Sequence, residues 1–531
     1  MVECKFVLYA GKLLKEDIHF VKEKQGDKTN FRIIKDYQRP YWVTLPHYQN
    51  HQQKKETEEL SKVVEKTTTQ KDLIQSVATT LGLTKSNLNN KIVPDSPYVY
   101  GLDIDSKVII KHDYGNTLTE NKIATLDLEV DIDTDIVAIG TVTINQGEYY
   151  EIYTVVNKQY LKPDTNLEKL KLPEIEKPYK YNYKIVETEL DIVKSILEKL
   201  HEWQPDITAI WNMDYDIPKL INVLNKNNLD PKDYFSDPNI PEKYRYFKYE
   251  QSSEFMVTES GVRKLIKPEE RWHIVYTPST WLWIDAMSAH RYIRVGGKTM
   301  PGGYSLNNIL EKELGSEFKK LEFSHLPEGI KGAQWHRTML NEYPYEYICY
   351  NIWDALSMQE LDRKTKDLAM TISILSGDSP LEIFNSGPKK IINVLHYFCL
   401  KHDRVLGSKP TEHKELDTLG LDQWISILDS DKLIKQKNLN VLDHSLKNNI
   451  RGNVFDLDAV SSYPSDTLAA NVSKDTTTSE LTAIQGKYKE DFIIHNLNLF
   501  FGSVNSMEYC KYMFNLPTIE DLQNIDLNRY K

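Results

Sequence analysis

At 531 residues the chain is long enough for three to four domains of about 150 residues each, which excludes a peptide module or a linker. Apolar residues at 40%, charged residues at 27% and the absence of any apolar run near about eighteen residues describe a globular protein without a membrane span. A net charge of −11 argues against general polyanion binding while leaving carboxylates for metal ligation, and the scattered Cys4, Cys349, Cys399 and Cys510 exclude a zinc ribbon, a redox pair and a disulfide scaffold.

The N-terminus, Met1 to Ala10, places an acid before a very short apolar run, the wrong order and length for a secretory signal, so a cytoplasmic location is expected. Up to about residue 115, Lys5–Tyr9, Tyr41–Thr44 and Lys107–Ile110 read as short strands. His51–Lys71, with Leu60, Val63 and Val64 at helical spacing, reads as an exposed helix or insertion. Ile123–Val130 alternates, Leu126, Leu128 and Val130 on one face and Asp127 and Glu129 on the other; Ile136–Ile144 follows as the second strand of a hairpin with an acidic turn. Helical periodicity over Leu190–Leu200, a buried strand at Asp206–Trp211 and a helix starting near Pro218 give a βαβ-like rhythm and hence a mixed α/β fold. Residues 230–275 read as an insertion or hairpin, Tyr345–Asp367 and Pro388–Leu400 as helices, and Asn453–Val460 as a strand running into a Ser-Ser-Tyr-Pro-Ser turn.

Four places could carry chemistry. Asp127 and Glu129, two apart on a strand, stand side by side, as is needed to hold divalent cations against a phosphate; alone, the pair reads as a solvated acidic face. Asp131, Asp133 and Asp135 continue the acidic run, and an extended strand through all five would stack like charges, so the strand ends near Val130. In Asn212-Met-Asp-Tyr215-Asp216, Asp216 sits where a strand's end meets a helix N-terminus, a usual place for active-site groups and equally for a plain helix cap. Tyr350 and Asp354, four apart on a helix, share one face. Asp458 leads through Ser461 and Ser462 to Tyr463-Pro-Ser, a carboxylate on a strand followed by an aromatic ring in a turn; Asp456 shares its strand face as a rival ligand.

Read in order, D-x-E, N-x-x-Y-D, Y-x-x-x-D and D-x-x-S-x-Y-P-S resemble the three exonuclease motifs and the first polymerase motif of family B DNA polymerases, especially those of tailed bacteriophages, over roughly residues 1–475. The resemblance implies an N-terminal β-rich domain at 1–115 completed by 365–400, a ribonuclease-H-like 3′→5′ exonuclease domain at 116–364, and the start of a polymerase palm at 401–531. It implies that Asp127, Glu129, Asp216 and Asp354 hold two Mg²⁺ or Mn²⁺ ions, with Tyr350 orienting the attacking water and Asn212 and Tyr215 contacting substrate. The N-x-x-Y-D spacing is one residue shorter than the commonest phage pattern, which bears on the placement of Asn212. Asp458 matches the metal-binding palm aspartate, Ser461 and Ser462 the triphosphate end, and Tyr463 the ring against the incoming sugar.

The family's Tyr-x-Asp-Thr-Asp and Lys-x-x-x-Asn-x-x-Tyr-Gly motifs do not follow Asp458, so DNA synthesis is expected to require a second polypeptide with the remaining palm, fingers and thumb. Expected partners are DNA, as a single-stranded 3′ end or primer-template, that second polypeptide and a sliding clamp, in a host cytoplasm if the source is viral. Two other readings stand beside this one: a stand-alone 3′→5′ exonuclease with a vestigial palm, and a non-enzymatic DNA-binding scaffold.

Overall fold

The computed structural model describes residues 2–407 apart from 27, 45–56, 83–95, 97, 116–118, 164, 169–170, 259–260, 296–299, 301, 319–320 and 322–330, and beyond 407 the backbone of three strands. The chain divides into two compact units, Met1–Thr418 and Leu419–Lys531.

The first unit opens with a meander of β1 (Glu3–Leu13), β2 (Glu16–Gln25) and β3 (Lys28–Lys35), each antiparallel to the next. A second small sheet sets β4 (Arg39–Thr44) between β6 (Val63–Thr68) and β7 (Val99–Tyr100), with β5 (Thr57–Glu59) preceding β6 and α1 (Leu73–Thr80) packed beside Tyr41 and Val43. The helix expected around Leu60–Val64 is therefore replaced by β5, a single 3₁₀ turn and β6; Val63 and Val64 pair with Thr44 and Val43, where β-branched side chains fit a pleated surface. The strand expected at Lys107–Ile110 is likewise helical: Asp105 accepts from Lys107 N–H at 2.9 Å and caps α2 (Ser106–Asp113).

A six-stranded mixed sheet follows. It contains β8 (Ile123–Asp131), β9 (Ile136–Asn145), β10 (Tyr150–Asn157), β11 (Tyr179–Val186), β12 (Ile207–Ile210) and β17 (Leu282–Asp285), in the order β11-β10-β9-β8-β12-β17. β8, β9 and β10 run antiparallel, β12 and β17 are parallel to β8 and to each other, and β11 is parallel to β10. Between β11 and β12 runs α3 (Glu189–Trp203); α4 (Met213–Lys226) and the short α5 (Pro231–Phe235) follow β12. The helix expected near Pro218 begins earlier, at Met213, whose N–H is accepted by Asp285 at 2.9 Å; Pro218 lies inside the helix.

The stretch before β17 is a two-tier ribbon, as its lack of periodicity suggested. β13 (Lys248–Glu250) pairs with β16 (Ile274–Tyr276), and β14 (Phe255–Val257) with β15 (Arg263–Leu265). Helices α6 (Ala286–His290), α7 (Leu306–Glu313), α8 (Ala333–Glu342), α9 (Pro344–Thr365), α10 (Ile372–Ser376) and α11 (Gly387–Lys401) complete the unit, before β18 (Arg404–Leu406) returns to pair with β5. The outward face of α11 carries Ile391, Val394, Leu395 and Phe398, all well exposed.

Opposite faces of the sheet have different chemistry. Leu126, Leu128, Val130, Val142 and Ile144 pack with Ile192, Ile196 and Leu200 of α3 and Ile217 and Leu220 of α4. Gly140 makes room on that side for Ile196, whose side chain would have to shift to admit a Cβ there. Ala138, Ile139, Tyr150 and Ile152 pack with Tyr347, Ile348, Ile352 and Trp353 of α9 on the other. The N-terminal meander is tied to this sheet by a buried ion pair, Lys22 Nζ to Asp206 at 2.6 Å, with Lys22 also donating to the Pro205 carbonyl at 2.6 Å. Burial pulls the Lys22 ammonium down to about 8, whereas the Asp206 carboxyl, which burial alone would raise, is held below its ordinary range by Lys22 and Lys5. Among the described residues no helix is long and apolar enough to cross a membrane. The second unit contains β19 (Thr477–Ile484), β20 (Ile494–Phe501) and β21 (Val504–Asn505) in one antiparallel sheet.

Candidate metal centre

The alternation of β8 decides what faces α9. With its leucines committed to the α3 side, Asp127 and Glu129 point to the opposite face, where Asp354 projects from α9. Oxygens of Asp127, Glu129 and Asp354 all lie within 4.8 Å of one another, Asp127 partly buried and the other two buried. The ladder between β8 and β9 is irregular between Glu129 and Val130, a register shift of the kind that re-aims a side chain.

Asp216 approaches the same strand from α4. β12 pairs with β8 only as far as Thr125, so the edge of β8 beyond it has no strand neighbour on that side, and the Leu128 N–H is taken by Asp216 Oδ1 at 3.2 Å. Complete burial, then the charge of Glu129, raises the Asp216 carboxyl well above its ordinary value. A buried carboxyl beside a second carboxylate is relieved by a cation bound between them.

Asp285, buried at the end of β17, has its carboxyl raised to about 7, chiefly by burial and against hydrogen bonds from the Ser288 and Met213 N–H groups. It thereby links the start of α4 to the start of α6. Asn212 is exposed at the cap position of α4 and its side chain makes no cap hydrogen bond. Tyr215 is 44% exposed, and its phenol is pushed up to about 12 by partial burial and by Glu129, Asp216, Asp135 and Asp127, which puts the ring beside the acids. Tyr350 is buried one turn before Asp354, its ring 4.9 Å from Trp335 and 6.1 Å from Tyr347. Asp458, Ser461, Ser462 and Tyr463, with Asp456, lie outside the described residues.

Three residues that sequence reasoning passed over touch the acids. Asn351 Nδ2 donates to Asp127 at 2.7 Å, and the Tyr347 phenol donates to Glu129 Oε2. Burial, followed by the charge of Glu129, raises the Tyr347 phenol far above its ordinary value, so it remains a donor. His336 Nδ1 lies 2.7 Å from the Tyr347 oxygen. Tyr347 and Asn351 stand on the α9 stripe that carries Tyr350 and Asp354, a spacing that could have been followed; His336 comes from α8 and carried no signal.

The acids after β8 serve another purpose. Asp131 ends the strand and accepts from Thr134 at 2.7 Å and Tyr160 at 2.9 Å, Asp133 pairs with Arg337 at 2.7 Å, and Asp135, at φ 60°, pairs with Lys219. The strand thus ends where charge stacking demanded, and the turn's carboxylates are matched to local donors. No family model matches the chain and no curated protein sequence is similar to it.

Proposed function

We propose that the chain is a 3′→5′ exonuclease of DNA with a ribonuclease-H-like catalytic domain, the proofreading part of a family B type polymerase. The observation that carries this reading is the convergence of Asp127, Glu129 and Asp354, from a strand and a helix far apart in sequence, with Asp216 beside them. Three antiparallel strands continued by two parallel ones, with helices on both faces, support the domain assignment.

The donor set is all carboxylate oxygen, which suits the hard cations Mg²⁺ and Mn²⁺. Bound there, such ions supply an activated water and stabilise the leaving 3′ oxygen. Asp127, Glu129 and Asp354 would hold them, with Asp216 completing the set. Tyr350, one turn before Asp354 on the same helix, would orient the water, and the half-exposed ring of Tyr215 would offer a stacking surface for the terminal base. Asp458 and Tyr463 extend the reading to a first palm motif on sequence grounds.

The test is digestion of 5′-labelled single-stranded DNA by the purified chain in Mg²⁺ or Mn²⁺. Stepwise shortening from the 3′ end is expected, and Asp127→Ala should abolish it. Undiminished digestion by Asp127→Ala refutes the assignment.

A further inference from the structure

Glu129 is gripped through a chain of two hydrogen bonds. The fully buried Tyr347 phenol donates to Glu129 Oε2, while His336 Nδ1 lies 2.7 Å from the same phenolic oxygen and 3.5 Å from Glu129 Oε2. An ionised carboxylate only accepts, so the single phenolic proton points at Glu129. The phenolic oxygen is then left to accept from His336, which places the imidazole proton on Nδ1. The two residues come from α8 and α9, and Arg337, next to His336, is fastened to Asp133 at 2.7 Å in the turn that follows β8. The helix that bears His336 is thereby fixed both to Glu129, through Tyr347, and to the turn that follows its strand. Trp335 packs edge-on against Tyr347, with ring centroids 5.9 Å apart, and closes the apolar side.

We propose that Tyr347 and His336 are positioning residues for the cation site, fixing Glu129 in the orientation a metal ligand needs; the inference rests on the exonuclease reading above. Ligating carboxylates are themselves commonly hydrogen-bonded, and loss of such an outer partner costs about 10- to 100-fold in metal affinity or activity. Neither residue needs to touch substrate. Their effect is carried through Glu129 alone.

The probe is Mn²⁺, its binding followed by the loss of the free-ion electron paramagnetic resonance signal and its function by kcat and KM on single-stranded DNA. Tyr347→Phe is expected to weaken Mn²⁺ binding about tenfold and lower kcat with KM for DNA unchanged. His336→Leu should shift both in the same direction. His336→Asn, whose amide nitrogen takes the place of Nδ1 and donates the same bond, should restore them, a rescue that a space-filling role would not produce. If Tyr347→Phe fails to fold, the partly exposed His336 pair carries the test by itself, and equal Mn²⁺ affinity in the Leu and Asn variants overturns the proposal. Wild-type Mn²⁺ affinity in folded Tyr347→Phe also overturns it. Failure of the underlying reading looks different: the wild-type chain and Asp354→Asn would then bind Mn²⁺ equally.

Discussion

Asp354→Asn removes a charge at almost constant shape from the point where three carboxylates crowd together. Their oxygens lie within 4.8 Å of one another. At that separation two unit charges in an effective dielectric of about 20 repel by about 3.5 kcal/mol. Asp354 takes part in two such pairs, and relief of one pair's worth of repulsion leaves the metal-free variant more stable by about 3 kcal/mol. For a unit of roughly 400 residues the unfolding entropy is about 0.8 kcal/mol/K, so the gain corresponds to about 3–4 °C in melting temperature. A divalent cation narrows this gap, since a ligand at a hundred times its dissociation constant stabilises the folded wild type by about 2.7 kcal/mol, and the variant, with one ligand fewer, gains less. Scanning calorimetry of both proteins in EDTA and in Mn²⁺ measures the two effects. A variant that melts below the wild type in EDTA and shows the same Mn²⁺ shift would refute the electrostatic account of the cluster.

Lys22→Met leaves Asp206 buried, with Lys5 at 3.9 Å as its remaining ammonium neighbour. Breaking such a pair from one side costs about 3–5 kcal/mol in urea unfolding, and a loss below about 1 kcal/mol would show that the N-terminal meander does not depend on it. Asp362, buried in α9, has its carboxyl raised to about 6 by burial, against hydrogen bonds from the Leu368 and Ala369 N–H groups. The folded chain therefore holds a proton that the unfolded chain releases: the contribution is complete below about pH 4 and is lost as pH rises through 6, about 3 kcal/mol in all. Asp362→Asn keeps an acceptor for both N–H groups and should flatten this dependence; urea midpoints from pH 4 to 7 that run parallel in the two proteins would contradict it.

What the sequence disclosed follows from how each element is covered. β8 was legible because its two faces meet different surroundings, Leu126, Leu128 and Val130 against apolar helices and Asp127 and Glu129 against the acid of α9. Lys107–Ile110 was misread because so short an apolar run fits either period, and the deciding group, the Asp105 cap, lies outside it. α9 posed a different difficulty. It is buried on nearly all sides, so no amphipathic stripe announces which face meets the sheet. Its polar residues do that instead, with Asn351 and Asp354 at the acids and Gln359 donating to the carbonyls of Ile123 and Thr143. Among 77 acids, those of the site differ from their neighbours in the turn by what surrounds them rather than by spacing. Asp133 and Asp135 pair with Arg337 and Lys219 in the turn, and Asp127, Glu129 and Asp354 bring their oxygens within 4.8 Å of one another. Tyr347 and Asn351 hold two of these acids in place by donating to Glu129 and Asp127, and as neutral donors they add no positive charge that would compete with a divalent ion.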